Sequence, residues 1–368
     1  MKQHPEGRTY WRRRQLMQHA MSAAALAVAG PGATALAQAD EYGDAALRGA
    51  GSTLVQPLVE AWMRRFRSDP FGVDVANGGL ADALSTDRLD YEAVGSLAGI
   101  ERIRAAQVDF AATEMPLAEA TLRAGGLAQF PWAYGGVAVA HHLPGITTLR
   151  LDARALAGIY LGHITRWSDP AIAAQNPDLR LPDQPIVVIH RLDGSGTSFT
   201  FTRFLSLSHP EWMARVGADL LPRWPTGRGF RGTSQVIAAV KSTPFSVSYV
   251  NAIQARQTGL AMASLRNAGG RYQPPDANAV LAAVKAKGAS TGALDSLPID
   301  ASGDDSYPLV ATVFGIVRSP ARSARQRRAA EFVVWTLNRG GPVARQLGYL
   351  DLPESMARAV ADQLISRG

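Results

Sequence analysis

Cysteine is absent from the 368-residue chain. That absence excludes disulfides, thiolate metal sites, cysteine nucleophiles and a lipidated N-terminal cysteine. Aromatic residues are sparse at 7%, and charged residues reach only 19% against 46% apolar, a balance that belongs to a globular chain and not to a disordered one. Beyond the N-terminal segment no stretch approaches the about 18 uninterrupted apolar residues of a membrane span. At this length the chain can bury a large core, and two domains are expected. Strong net charge is lacking too. Residues 1–39 carry Lys2, Arg8, Arg12, Arg13 and Arg14 against Glu6, so without them the charge falls from +7 to +3. Such a small excess gives little support for a nucleic-acid partner, and none is expected.

The N-terminus reads as an export signal. Arg12-Arg13-Arg14 precedes an apolar stretch from Ala20 to Ala29, followed by small-residue cleavage sites ending at Ala37 or Ala39. The apolar part is too short to span a bilayer. Arg13-Arg14-Gln15-Leu16-Met17 also permits a twin-arginine route. A signal peptide at 1–39 and an exported mature chain follow.

The richest run is Arg191-Leu-Asp-Gly-Ser-Gly-Thr-Ser-Phe199. It joins a guanidinium, a carboxylate, hydroxyls and two glycines to an amphipathic stretch of helical spacing (Phe201, Phe204, Leu205). Glycines permit close backbone approach, and the first N–H groups of a helix are unpaired donors at its positive end. Arg191 adds a fixed fork of donors, so the run predicts an anion cradle. The plainer reading is an Asp-Gly turn with Ser195 or Thr197 as N-cap. Arg191 with Asp193 favours the cradle, because together they suit a partly protonated tetrahedral oxyanion, the cation meeting the charge and the carboxylate accepting the P–OH proton.

From Gly49 onward short apolar strands alternate with amphipathic helices, which predicts an α/β fold. Glycine-and-hydroxyl turns at 51–53, 95–96 and 193–197 each link a strand to a helix, and such turns converge on one crevice in open α/β sheets. Strands are expected at 108–113, 135–140, 185–189 and 246–250, with helices at 155–161, about 277–287 and from Arg328 onward. Residues 71–90 read as a polar loop, and 267–307 as turn-rich without a site.

Other motifs carry less. Thr53 and Ser96 each suit a simple N-cap. Glu114 follows a strand, and its burial is not legible from the sequence. Gly227-Arg-Gly229-Phe-Arg-Gly232 matches a dinucleotide fingerprint in letters, but no strand precedes it and residues 220–275 hold no acidic residue for a ribose hydroxyl, so it reads as a solvated turn. His141 and His142 are adjacent on a strand and point to opposite faces, which argues against a shared metal. Ser195 lacks the nucleophile elbow, and neither a Walker lysine nor a paired-histidine zinc motif is present. No catalytic residue, metal or cofactor is expected.

Taken in order, these motifs resemble the periplasmic phosphate-binding proteins of ABC phosphate importers. Gly49-Ala-Gly-Ser-Thr-Leu54 resembles that family's GAG[AS]TF turn, Gly95-Ser96 its GSSGG turn, and Val108 to Pro116 its VDFGASDAP run. Gln129-Phe-Pro with Gly135-Gly-Val is similar to QFP…GGV, Ile159 to Trp167 to IYLGKIKKW, and His190 to Phe199 to RRADGSGTSF. The resemblance covers about residues 48–360. It implies a two-lobe, type II periplasmic-binding-protein fold with the ligand between lobes, each a mixed sheet flanked by helices. Lobe one would comprise 40–131 and 308–368, lobe two 132–307, with crossing strands near 131–135 and 304–310 as the hinge. It further implies a monomeric periplasmic protein that binds inorganic phosphate and delivers it to an inner-membrane ABC permease with its ATPase. The implied ligand residues are Thr53, Leu54, Ser96, Glu114, Arg191, Asp193, Ser195, Gly196 and Thr197. Glu114 stands where the family has an aspartate that accepts the proton of hydrogen phosphate and so excludes sulfate; glutamate keeps the carboxylate and adds a methylene. The polar 73–88 stretch is also longer than is usual in the family. Alternatives are a related oxyanion such as arsenate or sulfate, a sensor role, and a secreted phosphohydrolase acting through Ser195 or Thr197.

Overall fold

Period-3.6 apolar stripes and short buried runs alternate along the chain, and each forms the element its pattern dictates. The computed structural model describes residues 47–68, 89–288 and 297–366. The export signal and the 73–88 stretch lie outside the described residues. Strand β1 (Leu47–Gly51) leads into helix α1 (Gln56–Ser68), which buries Leu58, Val59, Trp62, Met63 and Phe66 along one face. Strand β2 (Leu89–Glu92) precedes helix α2 (Ser96–Arg104), and β3 (Phe110–Thr113) stops just before Glu114.

Strand β4 (Leu127–His142) runs for 16 residues, far beyond the stretch expected at 135–140. Pro131 lies inside it. A register shift between Val313 and Phe314 of the partner strand sits opposite Ala133 and Pro131, which accommodates a residue that has no N–H to give the ladder. Helix α3 (Ala153–Leu161) is capped by Asp152, whose side chain accepts the Ala155 N–H at 2.7 Å. Strand β5 (Val187–Arg191) feeds helix α4 (Gly196–Ser208), and strand β6 (Arg228–Phe230) feeds helix α5 (Gly232–Ser242). Strands β7 (Ser246–Asn251), β8 (Ala261–Met262) and β9 (Val310–Arg318), then helix α6 (Ala324–Arg339), follow.

Among the described residues these strands form one nine-stranded mixed sheet ordered β2-β1-β3-β9-β4-β7-β5-β6, with β8 on β4. β1 pairs parallel with β2 and β3, and β5 pairs parallel with β6 and β7. β4 is shared by both halves: Leu127–Gly136 pairs antiparallel with β9, and Val137–His142 with β7. A separate three-stranded sheet joins Arg150–Leu151, Ser264–Arg266 and Tyr272–Gln273.

The few aromatic residues are concentrated in two groups. Trp62, Phe66, Phe110, Trp132, Phe332 and Trp335 pack with ring centroids 5.2–6.3 Å apart. Two of its buried indoles find acceptors, Trp62 donating to the Gly340 carbonyl at 2.9 Å and Trp132 to Thr336 Oγ1 at 2.6 Å. The second group surrounds Tyr249, with Phe201 stacked on it at 4.5 Å and Trp224 at 5.6 Å, while His190 stacks on Trp224 at 4.9 Å. It backs directly onto Arg191, whose N–H donates to Tyr249 Oη at 3.1 Å.

The parallel strands decide where chemistry collects. At or just past the carboxyl ends of β1, β2, β3, β5, β6 and β7 lie Ser52-Thr53, Ser96, Glu114, Arg191, Thr233 and Asn251. Open α/β sheets take their ligands at this edge, because there the helix N-termini and turn N–H groups face outward.

Candidate anion-binding site

Arg191 ends β5 with its side chain 2% exposed. A guanidinium has five N–H donors and needs most of them met when buried. Its Nε donates to Asp193 Oδ1 at 2.7 Å and its Nη2 to Asp193 Oδ2. Nη1 donates to Thr53 Oγ1 at 3.0 Å and to Thr233 Oγ1 at 3.3 Å, and the two threonine hydroxyls are themselves 2.7 Å apart. Asp193 Oδ1 also accepts the Gly232 N–H at 3.0 Å. Burial alone would raise the Asp193 carboxyl, but Arg191 and the Gly232 N–H outweigh it and hold it below the usual carboxylate range. The bidentate pair fixes the guanidinium plane and leaves one edge turned to Thr53 and Thr233.

The turn after Asp193 is built for close approach. Gly95, at φ 94°, packs so near Gly194 that a Cβ on it would lie 2.7 Å from the Gly194 carbonyl oxygen. A Cβ on Gly194 would in turn lie 2.3 Å from Leu97 Cβ. The Leu97 N–H donates to the Gly194 carbonyl at 3.2 Å, so the starts of α2 and α4 touch. Ser195 caps α4, its hydroxyl accepting the Ser198 N–H at 3.3 Å.

Glu114 is buried, 1% exposed, and reaches from the end of β3 to the start of α4. Ser52 Oγ donates to its Oε1, and Ser96 Oγ donates to its Oε2 at 2.8 Å. Ser96 Oγ also accepts the Gly196 N–H at 3.1 Å. Burial pushes the Glu114 carboxyl up; the two serine hydrogen bonds and the charge of Arg191 only partly offset it.

Hydrogen bonds thus join Arg191, Asp193 and Thr53 in one group and Glu114, Ser96 and Gly196 in a second, and buried Ser195 and Thr197 stand with Gly196 at the start of α4. Leu54 enters through its backbone alone. Its N–H donates to Ser52 Oγ at 3.0 Å, and its carbonyl accepts from Asn251 Nδ2 at 2.8 Å and Tyr349 Oη at 2.6 Å. The Gly227–Gly232 run departs from its sequence reading as a solvated turn. It contains strand β6, and it carries the Gly232 N–H and the Thr233 hydroxyl to Asp193 and Arg191. Ser52 lies in the glycine-and-hydroxyl turn at 51–53 but was not among the expected ligand residues, and Thr233 was not expected at the site. The one signal for Thr233 was its place directly after a glycine at a helix start, the pattern already recognised at Gly95-Ser96.

Residues 29–339 match the model of the PBP superfamily domain. The chain is 34% identical over 318 residues to the phosphate-binding protein PstS of Xylella fastidiosa strain 9a5c, covering 85% of this chain and 83% of that one. It is 36% identical over 301 residues to PstS of Methanocaldococcus jannaschii, covering 74% and 77%. In fold it is similar to a high-affinity periplasmic phosphate-binding protein solved with phosphate, with a TM-score of 0.63 at 19% identity, covering 86% of this chain and 93% of that one. It is also similar to a putative phosphate ABC transporter substrate-binding protein of Clostridium perfringens solved with phosphate, with a TM-score of 0.59 at 17% identity, covering 84% and 100%. A two-half mixed sheet, a buried arginine fork at a helix start and kinship over most of the chain agree: the protein belongs to the PBP superfamily and, within it, to the phosphate-binding protein PstS family.

Proposed function

We propose that the chain captures inorganic phosphate outside the cytoplasmic membrane and delivers it, as a monomer, to an inner-membrane ABC permease with its ATPase. The observation that carries this reading is Arg191, a buried guanidinium clamped by Asp193 with its other edge on the Thr53 and Thr233 hydroxyls beside the start of α4. Such a cation, with helix N–H groups and hydroxyls around it, recognises a tetrahedral oxyanion by charge and by directed hydrogen bonds. The ligand shell on this reading is Thr53, the Leu54 backbone, Ser96, Arg191, Ser195, Gly196 and Thr197, with the Asp193 carboxylate on Arg191 and the Glu114 carboxylate against the start of α4.

On this reading the described residues within 40–131 and 308–368 belong to one lobe and those within 132–307 to the other. Hydrogen bonds that join the two groups of residues at the site include Arg191 to Thr53, Gly196 to Ser96 and Asn251 to Leu54. Ligand contacts made from both lobes favour a closed form, which is how a binding protein signals its loading to a permease. The Arg-rich start and apolar stretch at 1–39 support export. A phosphohydrolase would need a general base beside Ser195 or Thr197; the hydrogen bond that the Ser195 hydroxyl makes is accepted from the Ser198 N–H as a helix cap.

Calorimetry of the purified protein with phosphate, arsenate and sulfate tests the reading. Phosphate binding that is lost in Arg191→Ala is expected. No heat with any of the three, on folded protein, would refute it.

A further inference from the structure

Glu114 does more than line the site. Its Oε2 lies 1.3 Å from the point where a Cβ on Gly196 would stand, so the carboxylate rests on the first residue of α4. The donors around it are fully committed. Ser52 Oγ accepts the Leu54 N–H and Ser96 Oγ accepts the Gly196 N–H, so each hydroxyl has its single proton left for Glu114. A carboxylate thus takes up, at the start of a 13-residue helix, the hydroxyl donors and the positive helix end that suit an oxyanion. Arg191 reinforces the arrangement through its charge alone, since its Nε and Nη2 are bonded to Asp193 and its Nη1 to Thr53 and Thr233.

We infer that Glu114 is a built-in competitor for the anion: its carboxylate occupies the α4 end of the cradle, Ser52 holds it there, and entering phosphate must displace it. The inference rests on the phosphate reading above and adds to it a device that weakens capture and eases release. Ser96 Oγ has one proton to give, and a phosphate cannot take it while Glu114 Oε2 holds it. Ser52 is a positioning residue here. Its own hydroxyl acts on the ligand only through Glu114.

The groups facing Glu114 allow a pH arm. They are Arg191 on β5, Tyr91 on β2 and Tyr349, with Asp193 next to Gly95. Burial raises both tyrosines far above neutrality, and Asp193 lies below the usual carboxylate range. Of these, Glu114 is the carboxyl that gains a proton first as the pH falls.

Phosphate affinity is to be measured by calorimetry for the wild type, Ser52→Ala, Glu114→Ala and the double variant, each checked for fold by circular dichroism. Glu114→Ala is expected to tighten phosphate at least about tenfold near pH 8, the scale of one charge-assisted hydrogen bond regained by the ligand. Ser52→Ala should tighten it less, and should have no effect once Glu114 is alanine. The gap between wild type and Glu114→Ala should narrow near pH 5, the ligand's own titration being common to both. Weaker phosphate binding in Glu114→Ala would overturn the inference and leave the phosphate reading standing, because the carboxylate would then be serving the ligand. No phosphate binding by any of the four folded proteins would overturn both.

Discussion

Arg191→Lys separates the shape of the cation from its charge. Lysine keeps the positive charge at β5 and removes the fork. In the native site three guanidinium nitrogens work at once: Nε and Nη2 on Asp193, and Nη1 on Thr53 and Thr233. A single ammonium cannot span both carboxylate oxygens and still reach Thr53 Oγ1, so it must give up one side. Hydrogen bonds to charged groups contribute about 1.5–3 kcal/mol each, so losing one from a bound phosphate predicts affinity weakened by about 10- to 150-fold. Stability should change less, since Asp193 keeps a counter-charge; Arg191→Ala, which leaves that carboxylate with the Gly232 N–H alone, should cost about 3–5 kcal/mol by the behaviour of broken buried pairs. Phosphate calorimetry gives the first quantity and urea unfolding the second. Binding by Arg191→Lys within about threefold of wild type would refute the argument, because charge without geometry would then suffice.

Two further outcomes follow from buried groups near the sheet. His141 on β4 has both ring nitrogens buried without a partner, and burial, aided by His142, lowers it to about 4 from 6.5. The unfolded chain therefore binds the proton first, so stability is full above pH 6.5 and falls by about 3 kcal/mol as the pH drops towards 4. Urea unfolding of His141→Leu at the two ends of that window should show a shallower pH dependence than wild type, and an unchanged dependence would contradict the assignment. Gly196→Ala puts a methyl where Glu114 Oε2 lies, which should lower stability by about 1–3 kcal/mol through overpacking. Thermal unfolding should show the loss, with partial recovery when Glu114→Ala is added; a variant as stable as wild type would mean that the carboxylate leaves α4 at no cost.

Features that depend on near neighbours are legible from the chain alone. The run from Arg191 to Thr197 was legible because the arginine, the carboxylate, the glycines and the helix start lie within seven residues, close enough for local backbone geometry to bring them together. The helix stripes at Leu58–Phe66 and the strand at 246–250 were legible for the same reason, since periodicity is a local property. What the sequence could not supply was the partner of each polar group. Thr233 meets Thr53 across 180 positions, and Ser96 meets Gly196 across 100. The strand order β2-β1-β3-β9-β4-β7-β5-β6 decides those meetings, by setting the carboxyl ends of two parallel groups of strands at one edge. The length of β4 depended on β9 and β7 pairing along its two halves, which no local pattern specifies. Glu114 shows the division most sharply: its identity and its place after a strand were plain from the chain, but its burial, its two serine donors and its seat on α4 exist only because tertiary packing brings four turns together.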